Sequence, residues 1–180
     1  MTALRSLQRK LSLILIATTL SMHAWALDEG KFYTDSSDDA EAWREIETVL
    51  PPFPTAESWV EFPTTAVATN RFFISTQGLV AGSDGIMRYA LKVLSRGGAT
   101  SISYEGIRCT EWQVRTYATG DINNQNWRKI DNAPWRPVLA NQLNRHHRII
   151  LEDFVCPNGR PAYSIDIILS NIKRGPKFGG

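Results

Sequence analysis

Ile86-Met87-Arg88-Tyr89-Ala90-Leu91-Lys92-Val93-Leu94 is followed by Ser95-Arg96-Gly97-Gly98-Ala99 and then by Thr100-Ser101-Ile102-Ser103-Tyr104-Glu105-Gly106-Ile107-Arg108. Met87, Tyr89, Leu91 and Val93 alternate with Arg88, Ala90 and Lys92, and a period of two marks a strand with one face buried. Gly97-Gly98 supplies the positive φ angles that a tight hairpin turn needs. With that pair as the tip, Val93 stands opposite Ile102, Leu91 opposite Tyr104 and Tyr89 opposite Gly106, so that one face is apolar throughout. Tyr89 then covers the missing side chain of Gly106. Arg88 lies diagonal to Glu105 as a candidate surface ion pair of small value. Past Gly106 the alternation moves to Ile107 and Cys109, the phase change that a β-bulge produces.

Outward from this hairpin, short strands are expected at 59–62 and 71–76, and a further strand at 113–118 continues a meander. Gly120-Asp121-Ile122-Asn123-Asn124-Gln125-Asn126 reads as a polar turn before a return strand at Trp127. Trp43, Ile46 and Leu50 recur at helical spacing and predict a helix over 39–49, capped by Ser37 or Asp38 and ended by Pro51-Pro52-Phe53-Pro54. Leu139, Leu143, Ile150 and Phe154 predict a second helix over 138–153, which delivers Cys156 towards the sheet. Ile165, Ile168, Leu169 and Ile172 predict a last one over 164–173. The fold class that results is α+β: an antiparallel meander of about four or five strands, with helices from the N- and C-terminal parts packed on one face.

The chain opens on an export pattern. Arg5, Arg9 and Lys10 precede the apolar run that begins at Leu11, and Ala24-Trp25-Ala26 is a small-x-small cleavage site. A membrane anchor needs about 20 apolar residues, whereas Thr18, Thr19 and Ser21 interrupt this run at roughly half that length. Cleavage after Ala26 is expected, with a periplasmic mature chain and no transmembrane segment in it. The expected organisation is a signal peptide at 1–26, an acidic arm at 27–37, one α+β domain at 38–173 and a frayed tail at 174–180.

The leader carries three of the 20 Lys and Arg and none of the 18 Asp and Glu, so its loss takes the net charge from +2 to −1. That balance argues against nucleic acid as a partner, which calls for a strongly basic body. Residues 27–61 hold ten acids and only Lys31 and Arg44 as cations, so an acidic leader lying on its own basic body is one reading. A basic face for an anionic partner is the other. Cys109 and Cys156 form an even pair in an exported chain, most simply a disulfide, and closing a loop of that length is worth about 4 kcal/mol on the chain-entropy model. A reactive thiol would instead need a histidine base, and a thiolate zinc site about four ligands.

Asp84-Gly85-Ile86-Met87-Arg88-Tyr89, Ser95-Arg96-Gly97-Gly98-Ala99, Tyr104-Glu105-Gly106-Ile107-Arg108-Cys109 and Tyr117-Ala118 together resemble the cryptic neisserial protein family, small exported proteobacterial proteins. Trp43, the Pro51–Pro54 stretch, Trp127, Trp135 and Phe154-Val155-Cys156-Pro157 fall where that family's pattern places them, so the resemblance spans roughly residues 40–160. It implies a fold unit and a compartment, and it carries no activity.

Chemical motifs are scarce. His146 and His147, adjacent on a helix, point about 100° apart and cannot jointly grip one ion, so no metal and no cofactor is expected. Gly-x-Ser-x-Gly, the P-loop, Gly-x-Gly-x-x-Gly and Cys-x-x-Cys-His are missing. At least three of the five tryptophans after the leader are expected in the core, with Trp127 and Trp135 as surface candidates. The functional expectation is a non-enzymatic periplasmic protein that binds a partner or supports the cell envelope. Its contact face would be a basic, aromatic surface around Arg108, Arg115, Trp127, Arg128 and Trp135. The competing expectation is a small-ligand or glycan binder, or a hydrolase, using Glu105, Arg108 and one of the two histidines. It requires those groups to converge in a concave, solvent-reachable pocket.

Overall fold

The computed structural model describes residues 43–65, 68–139, 141, 145–162 and 164–177. Eight strands form one antiparallel sheet: β1 (Trp59–Phe62), β2 (Arg71–Ser75), β3 (Val80–Ala81), β4 (Ile86–Leu94), β5 (Thr100–Arg108), β6 (Gln113–Asp121), β7 (Asn126–Lys129) and β8 (Arg136–Pro137). The order is β1-β2-β4-β5-β6-β7, with β3 also on β4 and β8 also on β6. The count exceeds the expected four or five because β4, β5 and β6 are nine residues long and outrun their neighbours. β2 pairs with the C-terminal end of β4, and β3 takes the free stretch at Met87 and Arg88. Likewise β7 pairs with one end of β6 and β8 with the other. A two-residue strand has no period to detect, and Pro137 is tolerated in β8 because that strand is an edge.

The hairpin register differs by one residue from the expected pairing. Tyr89 is opposite Glu105, Arg88 opposite Gly106 and Val93 opposite Ser101. The turn explains the shift. Gly98 N–H donates to Ser95 O and Ser95 N–H to Ala99 O, and only Gly98 takes a positive φ, of 85°. The loop is therefore a three-residue turn with a glycine bulge, not a two-residue tip. A slip of one residue exchanges the faces of β5 relative to β4. Glu105 moves to the side of Met87, Tyr89 and Leu91, while Tyr104 and Arg108 move to the side of Arg88 and Ala90.

The bulge too is elsewhere. β4 and β5 pair without interruption, and the irregularity falls between β5 and β6, where Tyr104 faces Ala118 but Glu105 faces Thr116. Tyr117 is the extra residue. A Cβ on Gly106 would lie 2.7 Å from the Tyr117 ring and 2.8 Å from Ile86 Cγ2, so Tyr117, rather than Tyr89, covers that glycine.

Both sheet faces are covered. The main core lies on the Tyr89 face, where Phe62, Ile74, Leu91 and Ile107 meet Ile150, Phe154, Ile168 and Ile172. Its helices are α1 (Arg145–Ile149), which widens into a π-helical stretch (Ile150–Val155), and α2 (Ile165–Arg174). The Cys156 N–H donates to Leu151 O across five residues, the hydrogen bond of a π turn. Ser164 caps α2 by accepting from Ile167 N–H, in line with the helix expected over 164–173. Of the helix expected over 138–153, residues 138, 139 and 141 are not helical and 145–155 is, while 140 and 142–144 lie outside the described residues. Val138 N–H donates to Trp112 O, prolonging the β8 pairing, and Leu139 is half exposed. Cys109 and Cys156 meet at disulfide distance, with Cα atoms 5.6 Å apart.

On the other face, Ala90, Tyr104, Tyr117 and Ala118 form a smaller core with Leu50, Trp59 and Trp127. Its cover is an extended strap, residues 43–55, and not the expected N-terminal helix. Residues 39–42 lie outside the described residues. The strap is extended because its main chain is claimed by the sheet: Ile46 N–H donates to Asp84 Oδ2, and Ile46 O accepts from Arg88. Helices are accordingly mostly C-terminal among the described residues, the exception being a single 3-10 turn (Ala56–Ser58) before β1. The expected signal peptide at 1–26, the expected arm at 27–37 and residues 178–180 lie outside the described residues. None of the five tryptophans is fully buried, and Trp43 and Trp112 are 44% and 38% exposed.

Candidate functional site

Glu105 sits under the helices and is 5% exposed. Its Oε2 accepts from Tyr89 OH at 3.0 Å and lies 2.8 Å from His147 Nε2, while Oε1 accepts from Ser103 at 2.7 Å. Burial alone would raise its pKa. The His147 charge and hydrogen bond, with those of Ser103 and Tyr89, outweigh it and bring the carboxyl down to about 2. Beside it, His146 stacks on Phe72 at 4.6 Å and touches the His147 ring. Burial and then the His147 charge hold His146 down at about 4. This is a polar network inside a hydrophobic core, in which the buried His147 Nδ1 has no hydrogen-bond partner among the described residues.

The opposite face gathers cations and rings. Arg88, on β4 and 5% exposed, is paired with Asp84 at 2.7 Å and reaches Thr48 and Ile46 on the strap. Asp84 accepts from Arg88 and from the Ile46 and Ile86 amides. Burial would raise its pKa, and these donors hold it below the usual carboxylate range instead. On the neighbouring strand β5, opposite Ile86, Arg108 lies over the Trp43 ring at 3.9 Å and over Trp135 at 5.7 Å. Planar guanidinium on indole is a favourable cation–π arrangement.

Glu45 of the strap occupies the centre of this group. Its Oε2 accepts from Arg115 at 2.8 Å and from Trp135 Nε1 at 3.3 Å, and its Oε1 accepts from Tyr117 OH at 2.6 Å. Arg88 stands 3.8 Å away. Tyr117 titrates well above the ordinary tyrosine range because of burial and this hydrogen bond. A cleft of about 280 Å³ runs alongside, between the strap and Arg115, Lys129 and Asp131.

Of the residues singled out in the sequence, Arg108, Arg115 and Trp135 thus come together. Trp127 lies on the same face but farther along, packed on Phe53 and donating to Pro51 O. Arg128 is exposed and paired with Asp121. Glu105 is on the other face, so Glu105, Arg108 and a histidine do not share a pocket. The ligand or hydrolase alternative required that they should. No group of three metal-ligating side chains occurs among the described residues. Glu45 had no local signal, since it and Arg115 are 70 residues apart. Asp84, Arg88 and Tyr117 stood out through the family resemblance, and Arg88 pairs with Asp84 rather than with Glu105, which the register puts on the other face. Only the acidic bias of 27–61 hinted that a carboxylate there would lie on the basic body.

A family model described as the CNP1-like family matches residues 38–173. Among curated proteins, the chain is 26% identical over 151 residues to "Cryptic neisserial protein 1" of Neisseria gonorrhoeae (strain ATCC 700825 / FA 1090), covering 72% of each sequence. No solved structure gives a significant match. No helix among the described residues is long and apolar enough to cross a membrane.

Proposed function

The chain belongs to the CNP1-like family, and from that premise we propose that it is a non-enzymatic periplasmic protein, exported with cleavage after Ala26, that binds a protein partner at the cell envelope. Its contact face is the strap side of the sheet around Arg108, Arg115 and Trp135. The observation that carries this reading is the stack of Arg108 between Trp43 and Trp135. Arg and Trp are the residue types that dominate protein interfaces, and this sheet has spent them at its surface. The main core on the other face does without tryptophan.

The test is crosslinking in the periplasm, comparing the wild-type chain with Arg108→Ala and Trp135→Ala. A specific adduct present with the wild-type chain and lost in both variants, at equal folded protein, supports the reading. An adduct indifferent to both substitutions overturns it.

A further inference from the structure

The strap divides into two parts that are held differently. From Leu50 to Pro54 it is packed: Phe53 lies on Trp127, Pro51 fits against Gly78, and Pro54 is buried. From Trp43 to Val49 it is held mainly by side chains. Asp84, Arg88, Arg115, Tyr117 and Trp135 supply its hydrogen bonds. Among the described residues no backbone–backbone hydrogen bond ties this stretch to the sheet. Its apolar side chains are poorly covered, with Trp43, Ile46 and Val49 exposed by 44%, 48% and 82%. A segment gripped by its side chains and by isolated main-chain groups is bound as a peptide ligand is bound.

Glu45 also leaves the receptor partly unused. It takes one Nη of Arg115, while the buried Arg115 Nε has no hydrogen-bond partner among the described residues. A guanidinium can offer two parallel donors to one carboxylate. When 43–49 lifts, Glu45 and Glu47 leave the face with only Arg44. Arg88, Arg108, Arg115 and Lys129 then remain against Asp84, Glu111 and Asp131. Asp84 and Glu111 are paired with Arg88 and Arg108, so Arg115 is the guanidinium that loses its carboxylate.

We propose that the Arg88–Arg115–Tyr117–Trp135 pocket is a receptor for an acidic side chain on an extended segment of the partner protein, and that Trp43–Val49 is its built-in occupant. The cis segment is tethered at Leu50–Pro54, and its high effective concentration keeps short competitors out. A partner gains entry by presenting a carboxylate to Arg115 with further contacts over the uncovered face. This rests on the contact face named above but makes a separate claim, about what the face recognises.

The probe is a fluorescein-labelled peptide of residues 43–49, measured by anisotropy against the full mature chain. Glu45→Ala removes the cis carboxylate and should bind this peptide at least tenfold more tightly than wild type does. Replacing the peptide's own glutamate at its third position by glutamine, or adding Arg115→Ala to the protein, should return binding to the wild-type level. Should Glu45→Ala fail to fold by circular dichroism, Glu45→Gln, which keeps the shape, takes its place. Equal affinity for wild type and variant, or indifference to the peptide's glutamate, overturns the receptor. A failed peptide experiment with Arg108-dependent crosslinking intact removes the receptor and keeps the contact face. Loss of that crosslinking pattern with peptide binding intact does the reverse.

Discussion

Tyr89 and Glu105 are directly paired across β4 and β5, and the Tyr89 hydroxyl donates to Glu105 Oε2 at 3.0 Å inside the main core. That single pairing ties the sheet to α1 through His147. A carboxylate in an apolar interior survives only when its oxygens are satisfied, and here three side chains do so.

Removing the carboxylate is therefore costly. Glu105→Ala leaves His147, Ser103 and Tyr89 with lost partners and should destabilise the fold by about 3–5 kcal/mol. Tyr89→Phe removes one hydrogen bond at nearly constant shape and should cost about 1–2 kcal/mol. Urea denaturation of the two variants checks the ordering. A loss below about 1 kcal/mol for Glu105→Ala would show that the network is dispensable.

Acid should weaken the fold in two stages. His146 is held at about 4 in the folded chain, beneath Phe72 and beside His147 and Glu105, and an unfolded histidine titrates near 6.5. The unfolded state thus binds the extra proton first. The contribution of His146 is complete above about pH 6.5 and declines from there to about pH 4, by up to about 3 kcal/mol, less where solvent screens the half-buried ring. Glu105, held at about 2, adds a second decline below about pH 4.5. Thermal melts from pH 8 to pH 3 test both, and His146→Phe should remove the upper stage alone.

Gly106 is where β5 and the bulged Tyr117 come closest. Gly106→Ala places its Cβ 2.7 Å from the ring and 2.8 Å from Ile86. The strain should cost about 1–3 kcal/mol. Gly97→Ala meets nothing closer than 4.0 Å and has no positive φ, so it should be nearly neutral. If the two melt alike, the close approach is not what selects glycine at 106.

The cysteine pair clamps the end of β5 to the end of the π-helical stretch. Intact mass of the protein should rise by two hydrogen atoms on reduction, and replacing both cysteines by serine should cost about 4 kcal/mol. An unchanged mass, with both thiols open to alkylation before reductant is added, would leave the clamp to packing alone.

Much of this architecture was legible along the chain. The period of two across 86–108 was enough to identify the central hairpin, and the apolar stripe behind Ser164 located α2. Strands at 59–62, 71–75 and 113–118 carried the same local signal. The strap misled because Trp43, Ile46 and Leu50 do recur at helical spacing. What keeps it extended is Asp84 and Arg88, about 40 residues away, and no local pattern records a distant partner.

The sequence by itself determined which segments become strands, which face of α2 is apolar and that Cys109 and Cys156 could pair, because side-chain period and composition act over a few residues. Only the tertiary structure decided what those strands do. Three hydrogen-bonded loop residues in place of two set the register of β5, and one step of register separates a surface Glu105 from a buried one. The same step put Arg108 on the face that receives Glu45. A glutamate and an arginine 70 residues apart become a binding site only once the sheet between them has been laid down.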